Sequence, residues 1–448
     1  MNLIPVLSRD RIESYVSHID FLSNHDFQLK NFSDLFTKDI RSNELRNVTY
    51  LRRVKSILGF LWFLVSAVGT LRHFQTRRFN PVDFSAPVLI CLDGWSPWSG
   101  VSADFRDHIW GDLAEQIKGS YLVLTDGDSR CAGFSGQGVF FNVSGILRMA
   151  DVAMFLRCVF YDVALATRLG VIWEYLPYVR ASFFNYKCFL TIKRCISAPQ
   201  ILFHGEFNAH GRTVVAASRE LGIESIAVAH SIYFPLFLQY WLTDSYVKNL
   251  LLPDQLWVQC AYNRSLIRRS SAAALERKLK ISVVGNFRQR SPGQPLGTGS
   301  TRIGVVLCSW EATNFFNLGG LEKIASLRVR GHPSKNMLNG KPSYVTDDEG
   351  TLIDFFSRCD LIVVGTSNAV LDALLWGKTV VRLRALVVEG FYPIEGVKMV
   401  DISELIDFDN SKVSASDYFG LVPNLADYYT EFDTVAAMKL LGNFGDSR

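Results

Sequence analysis

Two short segments in the C-terminal half of the chain carry residue types that can bind a phosphate. The first is RGHP at positions 330–333, which follows the apolar and basic segment LRV. The second is GTSN at positions 365–368, which follows the strand-like run DLIVV and opens the helix-like run AVLDALLWG. A strand that ends in Gly-Thr-Ser and feeds a helix presents hydroxyls and backbone N–H groups at a positive helix terminus. The two segments therefore predict a phosphate site.

The first segment supplies a cation and an imidazole. Arg330 can pair bidentately with phosphate or carboxylate, and His332 can donate to a phosphate or ribose oxygen. Pro333 fixes the turn that aims the imidazole. A surface turn after a core strand would explain a lone His-Pro pair equally well, but the second segment favours a nucleotide site. Ser309 and Glu311 follow the first strand of the same unit and are further candidates for contact with the ligand.

The second segment supplies hydroxyl, amide and backbone donors. Gly365 and Thr366 form the predicted strand end, and Ser367 and Asn368 stand at the predicted N-cap of the next helix. Capping alone would justify Ser and Asn at these positions. Capping and phosphate binding use the same groups, so the sequence leaves both roles open.

Strand-like and helix-like runs alternate over most of the chain, which predicts an α/β protein with parallel sheets. Residues 145–195 are predicted to be largely helical, and the Gly/Pro/Ser-rich stretch 290–302 is the clearest predicted linker. The predicted architecture has two Rossmann-like domains that face an interdomain cleft, with functional loops at the carboxyl ends of the strands. The predicted divisions are a helical N-terminal segment 1–80, Rossmann-like domains 81–290 and 300–416, and a helical tail 417–448.

Polar side chains also follow the predicted strands of the N-terminal domain. Glu206 is the first candidate for a base or a nucleophile, and a charge at a helix N-terminus is the alternative interpretation. Asp93 is the second candidate because it also follows an apolar strand. His230 ends the next strand and has either a structural or a catalytic role. Arg212 and His204 are candidates for binding a phosphate of the acceptor or a carboxylate of the donor.

Composition narrows the possible classes of function. Hydrophobic residues make up 48% and charged residues 20% of the 448, which predicts a globular protein, and a net charge of +4 gives no indication of a nucleic-acid partner. The eight cysteines include no C-x-x-C pair, so free thiols in a reducing compartment are expected. The D-x-D sequence Asp126–Asp128 is more simply a turn, and no metal or other cofactor is expected. The absence of Walker A and G-x-G-x-x-G motifs argues against an ATPase or a nicotinamide enzyme.

The segment Ile57–Val68 is apolar over about 12 residues, short of the roughly 20 that a spanning helix needs. Basic residues flank it on both sides. A buried helix is the simpler interpretation, and the alternative is a peripheral membrane contact through residues 52–78. The N-terminus lacks the apolar core of a signal peptide, so a cytoplasmic location is expected, with the inner face of the membrane as a possible site.

The pairing of His332-Pro333 with Thr366-Ser367 is similar to a pattern in bacterial sialyltransferases and Kdo transferases of the GT-B fold. Upstream, DGWSPWSGVSADFRDHIWGDL and FHGEFNAHGRTVVAASRELGIESIAVAHS resemble bacterial surface-carbohydrate biosynthesis proteins. The resemblance covers roughly residues 87–390. It implies a donor domain in the C-terminal half, an acceptor domain in the N-terminal half, and a CMP-activated ulosonic acid as co-substrate.

The resemblance implies a metal-independent glycosyltransferase that extends a lipopolysaccharide, capsule or similar surface glycan from a glycan or lipid-linked acceptor. The sequence leaves two alternatives open. One keeps the fold and changes the donor to a UDP-, GDP- or CDP-linked group, or the reaction to epimerisation. The other is a non-catalytic nucleotide-sugar-binding subunit, because the run after His230 has no acid before Asp244, where relatives tend to carry one.

Overall fold

The structure is a computed structural model of the 448-residue chain. It describes residues 28–29, 50–70, 82–92, 113–125, 138–205, 209–229, 233, 251–270, 278–286, 301–308, 311, 315–331, 350–387, 394, 396–420 and 425–442. The strands in these residues are β1 Val82–Asp83, β2 Val88–Leu92, β3 Ser120–Thr125, β4 Gly138–Asn142, β5 Ile196–Ser197, β6 Gln200–Phe203, β7 Glu224–Val228, β8 Gln255–Val258, β9 Lys280–Val283, β10 Thr301–Val306, β11 Leu327–Arg330, β12 Cys359–Val364, β13 Thr379–Leu383 and β14 Met399–Val400.

Helices alternate with the strands. The α-helices are α1 Tyr50–Thr70, α2 Leu113–Gln116, α3 Met149–Arg168, α4 Ile172–Tyr175, α5 Val179–Cys195, α6 Ala209–Leu221, α7 Ala261–Ser270, α8 Leu352–Arg358, α9 Ala369–Leu375, α10 Ile402–Asn410, α11 Ala415–Phe419 and α12 Thr434–Leu440. Short 3₁₀ turns cover Val143–Ile146, Leu176–Tyr178, Leu321–Lys323, Arg384–Leu386 and Leu425–Asp427.

The N-terminal unit contains a seven-stranded sheet in the order β4-β3-β2-β6-β7-β8-β9, and every neighbouring pair is parallel. Its central strands are continuous apolar runs, as expected for strands that helices cover on both faces. The chain builds one half outward from β2, then crosses to β6 and builds the other half. The strand order therefore reverses between β2 and β6, and such a reversal opens a crevice at the carboxyl ends of the two strands.

The C-terminal unit contains a five-stranded parallel sheet in the order β11-β10-β12-β13-β14. Its strand order reverses between β10 and β12. The four residues Leu361–Val364 of β12 are all fully buried, because separate apolar clusters cover the two faces of the sheet. Two doubly wound parallel sheets confirm the predicted α/β class with two Rossmann-like domains.

The C-terminal segment returns to the first sheet. Asn286 pairs with Glu431 in a parallel bridge, and the backbone N–H of Asp433 donates to the carbonyl of Val284 at 3.0 Å. The following helix, α12, buries Ala437 in a cluster with residues of the first sheet. The predicted boundary between 416 and 417 falls inside α11, which packs in the core of the second sheet.

A helical layer covers one face of the first sheet, and α1 belongs to it. Phe63 of α1 and Phe155 of α3 both lie against Phe183 of α5, with ring centroids 5.5 and 4.9 Å from it. The opposite face of α1 is exposed. The buried-helix interpretation of 57–68 is therefore correct for one face and wrong for the other. In the described part of the chain, no helix combines the length and the apolarity that crossing a membrane requires.

Candidate functional site

The reversal point of the second sheet lies between the loop after β10 and the turn after β12, and a buried carboxylate joins the two. Glu311 accepts the backbone N–H of Thr366 at 2.7 Å and its hydroxyl at 2.9 Å through Oε1. Its other oxygen, Oε2, accepts the backbone N–H of Cys308 at 2.7 Å. Glu311 is fully buried, and burial raises the pKa of its carboxyl, which the hydrogen bonds and the charge of Arg382 offset only in part.

The carboxylate of Glu311 thus accepts hydrogen bonds from two groups of Thr366 that the sequence predicts to bind a phosphate. Both the hydroxyl and the N–H of Thr366 are used within the protein. Because the two residues are 55 positions apart, this bond ties the loop after β10 to the turn after β12. Glu311 and Thr366 therefore shape the turn, and a ligand that contacts it has to use other groups or displace the carboxylate.

Gly365 allows the carboxylate to approach the strand end. A Cβ at this position would overlap the Glu311 carboxylate and would lie 2.8 Å from the Cβ of Leu386. Arg382 of β13 holds the same turn from the other side. Its Nη1 donates to the carbonyl of Gly365 at 2.5 Å, and its Nη2 donates to the carbonyl of Ile394 at 3.1 Å. The turn is therefore held by two buried and oppositely charged side chains.

Ser367 and Asn368 complete the turn, and of the two Ser367 is buried and Asn368 is exposed. Asn368 is the N-cap residue of α9, but its side chain makes no capping hydrogen bond, and the Ser367 hydroxyl accepts the N–H of Ala369 at 3.2 Å. Among the described residues, the backbone N–H groups of Ser367 and Asn368 donate no hydrogen bond. Helix α9 has only seven residues, so these local donors matter more than a helix dipole.

Arg330 lies at the end of β11, one strand beyond β10. Its Nη2 donates to the carbonyl of Gly350 at 2.7 Å, and its guanidinium lies 6.0 Å from the ring centroid of Phe355. The side chain is partly exposed. These contacts place Arg330 beside the start of α8, and its contact with a phosphate stays a prediction.

The reversal point of the first sheet lies between the ends of β2 and β6. His204 follows β6 and is buried. Arg212, in the first turns of α6, is 2% exposed, so the structure places it inside the domain rather than on an open surface. A Cβ on Gly211 would overlap the carbonyl of Gly205, so the start of α6 is pressed directly against the end of β6. Contacts of His204 or Arg212 with a substrate stay predictions.

A histidine that is not among the candidates from the sequence lies at the same place. His210, in the first turn of α6, has its Nδ1 2.7 Å from Oδ1 of the buried Asn185 on α5. An amide oxygen only accepts, so Nδ1 carries the proton and Nε2 is an acceptor in the neutral ring. Desolvation lowers the pKa of His210 to about 4, and the residue as a whole is partly buried. The signal in the sequence is a histidine a few positions after the strand that ends at Phe203.

Several predicted site residues lie outside the described residues, and their roles stay predictions. The catalytic candidates Asp93 and Glu206 follow β2 and β6, the two strands that flank the first reversal point, and the third candidate, His230, follows β7. Three donor-site candidates also lie outside: Ser309, His332 and Pro333. Six cysteines in the described residues are free thiols. Those residues contain no cluster of three metal-ligating side chains.

No protein-family model and no curated protein sequence matches the chain. Solved structures with a related arrangement include the wall teichoic acid polymerase TagF soaked with CDPG, at 10% identity and a TM-score of 0.46, over 88% of this chain and 97% of that one. Another is a putative UDP-N-acetylglucosamine 2-epimerase from Listeria monocytogenes, at 11% identity and a TM-score of 0.42, over 83% of this chain and 98% of that one.

A third is Arabidopsis thaliana UGT89C1 complexed with UDP-L-rhamnose, at 12% identity and a TM-score of 0.42, over 80% of this chain and 93% of that one. At these values the likeness assigns neither a family nor a reaction. The class of the protein follows from its own topology: it is an α/β protein with two Rossmann-like parallel-sheet units.

Proposed function

We propose that the protein is a GT-B-type glycosyltransferase that binds a nucleotide-activated sugar at the reversal point of the second sheet. The observation that carries the proposal is the turn at 365–368. It lies where doubly wound sheets bind their ligands, and the Glu311 and Arg382 contacts hold it in place before any ligand arrives. A held turn loses little conformational entropy on binding, and this favours a site over a simple chain reversal.

The backbone N–H groups of Ser367 and Asn368 would donate to the phosphate of the donor, together with the hydroxyl of Ser367, whose oxygen accepts from Ala369 and whose proton can be donated. Arg330 and His332 would add charge and a further donor from the neighbouring strand end. Glu311 contributes indirectly, since its carboxylate shapes the turn. The site thus combines a neutral backbone cradle with side-chain charge, as electrostatic stabilisation of a departing nucleotide requires.

The N-terminal unit would bind the acceptor and carry out the proton transfer. In a direct displacement, the oxygen of an acceptor hydroxyl attacks the anomeric carbon, and the bond from that carbon to the phosphate oxygen breaks. The nucleotide leaves with the electron pair, and the hydroxyl proton passes to a base. Glu206 is the first candidate for this base, with Asp93 and His230 as the others.

In its specific form, the proposal names a CMP-linked ulosonic acid of the Kdo or sialic type as donor and a hydroxyl of a growing surface glycan as acceptor. The paired motifs His332-Pro333 and Thr366-Ser367 support this choice. A UDP-, GDP- or CDP-linked donor, or an epimerisation, would use the same turn. The CDPG and UDP-L-rhamnose of the solved structures belong to those proteins and favour no donor here.

Calorimetric titration with CMP, UDP, GDP and CDP tests the binding half. We expect CMP to bind, and Ser367→Ala to weaken it by about tenfold, the value of about one hydrogen bond to a charged group. The matched control is Ser357→Ala, because Ser357 is an exposed serine on α8 whose hydroxyl donates to the carbonyl of Asp354. If another nucleotide binds and CMP does not, the donor assignment is wrong. If none binds, the proposed function is wrong.

A transfer assay with each sugar donor tests the chemical half. Glu206→Gln should lower kcat by at least about a hundredfold if Glu206 is the base, and Asp93→Asn tests the second candidate. Unchanged rates in both variants would exclude both carboxylates. Nucleotide binding without transfer in the wild-type protein would instead support the non-catalytic binding subunit, the alternative that the run after His230 favours.

A further inference from the structure

The exposed large apolar side chains of the described residues are concentrated on two helices of the N-terminal unit. Five lie on α1, and these are Ile57, Leu58, Leu61, Trp62 and Val65, with exposed fractions from 42% to 65%. Four lie on α3, and these are Met149, Met154, Phe160 and Tyr161. Three others, Ile353, Val413 and Val435, are scattered singly over the C-terminal part. Scattered single residues need no explanation, whereas a concentration of this kind marks an interaction surface.

The apolar residues of α1 form a stripe. Leu58, Leu61, Trp62 and Val65 recur at the three- and four-residue spacing that aligns side chains on one helix face. The opposite face is buried through Phe63 and its neighbours. Because α1 and α3 both pack on α5 through Phe183, they belong to one layer. We call the outward side of this layer, α1 together with α3, the helical face.

The charges of the helical face have one sign. Helix α1 contains no acidic residue, and its described basic side chains, Arg53 and Lys55, are exposed. On α3, Arg157 and Arg168 are exposed. The guanidinium of Arg53 lies 5.3 Å from the ring centroid of Trp173, which keeps the charge at the helix surface.

The acidic side chains of α3 are buried and do not lie on the helical face. Asp151 is buried and receives two hydrogen bonds from Arg194, at 2.6 and 2.7 Å. Asp162 is fully buried and accepts from the backbone N–H groups of Gln28 and Leu29, at 2.7 and 2.8 Å. The solvent side of the two helices therefore presents apolar and cationic side chains without an exposed acid in its described residues.

We propose that the helical face docks on the surface of an anionic lipid bilayer. An apolar stripe flanked by basic residues enters the headgroup region with its hydrocarbon side chains, while the cations pair with lipid phosphates. The helix lies along the surface, since the described residues include no helix suited to crossing it. A second copy of the chain fits less well, because a symmetric contact would place cations against cations.

Sedimentation of the full-length protein with lipid vesicles tests this proposal. We expect binding to vesicles of phosphatidylcholine with phosphatidylglycerol, and much weaker binding to phosphatidylcholine alone. Val65→Glu removes an apolar contact and adds a negative charge, so it should weaken the partition by about tenfold or more. Val435→Glu is the matched control, since Val435 is exposed to 64% and Val65 to 65%, on different parts of the protein. Circular dichroism verifies that both variants are folded.

Arg157→Glu separates charge from apolar contact. It should weaken binding to the anionic vesicles and leave the weak binding to phosphatidylcholine unchanged, and raising the salt to about 0.5 M should have the same effect. Equal binding of the Val65 and Val435 variants would overturn the proposal, as would wild-type protein that stays in the supernatant. A change of sedimentation coefficient in Val65→Glu without lipid would show that another copy covers this face. Nucleotide binding should be unchanged in all these variants, which separates this test from that of the proposed function.

Discussion

The two reversal points of this protein are built differently. In the second sheet, a buried carboxylate and a buried guanidinium hold the turn at 365–368 from opposite sides. In the first sheet, a glycine contact presses α6 against the end of β6, and a neutral histidine lies in the first helical turn. A charged scaffold suits a turn that has to keep one shape for a ligand. A neutral imidazole with a lowered pKa stays unprotonated at neutral pH, so it adds no charge to the position it occupies.

Removal of the carboxylate should have the largest effect. Glu311→Ala leaves the N–H of Cys308 and two donors of Thr366 without this acceptor, and it removes a carboxylate that interacts with the charge of the buried Arg382. We expect the free energy of unfolding to fall by about 3–5 kcal/mol. Chemical denaturation measures the change. A loss below about 1 kcal/mol would mean that the carboxylate does not hold the turn.

Substitution of one glycine by alanine at each reversal point compares the two regions directly. Gly211→Ala would drive a Cβ into the Gly205 backbone, and Gly365→Ala would drive one into the Glu311 carboxylate. Each should cost roughly 1–3 kcal/mol, and Gly211→Ala should cost more because a backbone moves less readily than a side chain. Gly319→Ala is the control, since no heavy atom lies within 4 Å of the added Cβ. Only Gly365→Ala should also weaken nucleotide binding.

The strands that position both sites could be predicted from the sequence, because runs such as ILF before His204 and DLIVV before Gly365 are continuously apolar. A parallel sheet covered on both faces requires this pattern. Strand β4, GVFFN, was missed because its short apolar run follows the Gly-rich stretch 132–138. The order of the strands in the sheets could not be predicted from local sequence patterns either, because it depends on which distant strands pair.

The contacts that define the turn could not be predicted for the same reason. Glu311 and Thr366 are 55 positions apart, and Arg382 reaches a carbonyl 17 positions away. The sequence shows that Glu311 stands near a strand end. It does not show that the carboxylate accepts from the N–H and the hydroxyl of Thr366. His210 was overlooked because its partner Asn185 is 25 positions earlier, on another helix. Local patterns locate the ends of strands, whereas tertiary packing decides which polar groups meet there.

Acid should weaken the first region through His210. Its pKa is lowered to about 4 in the folded protein, from 6.5 as its ordinary value. The unfolded chain therefore binds a proton first as the pH falls, and the free energy of unfolding decreases between about pH 6.5 and pH 4. The full shift corresponds to roughly 3–4 kcal/mol. Thermal unfolding of His210→Gln across this range should lack that loss, and an identical pH dependence in variant and wild type would contradict the assignment.

The second region should respond to pH in the opposite direction. The pKa of Glu311 is raised in the folded protein, so the folded state keeps its proton to a higher pH than the unfolded chain does. Its contribution to the free energy of unfolding is fully present below the unfolded pKa of about 4.5 and is lost as the pH rises through the folded pKa. Glu311→Gln removes this titration. The glutamine amide has only one oxygen that can accept from the three donors, so the substitution also lowers the free energy of unfolding by about 1 kcal/mol or more at every pH. The informative quantity is therefore the slope of the free energy of unfolding against pH. Above about pH 4.5, this slope should be more positive in Glu311→Gln than in the wild type. In His210→Gln it should be less positive than in the wild type over the same range. If both variants shift the slope in one direction, the two reversal points do not differ in charge as described.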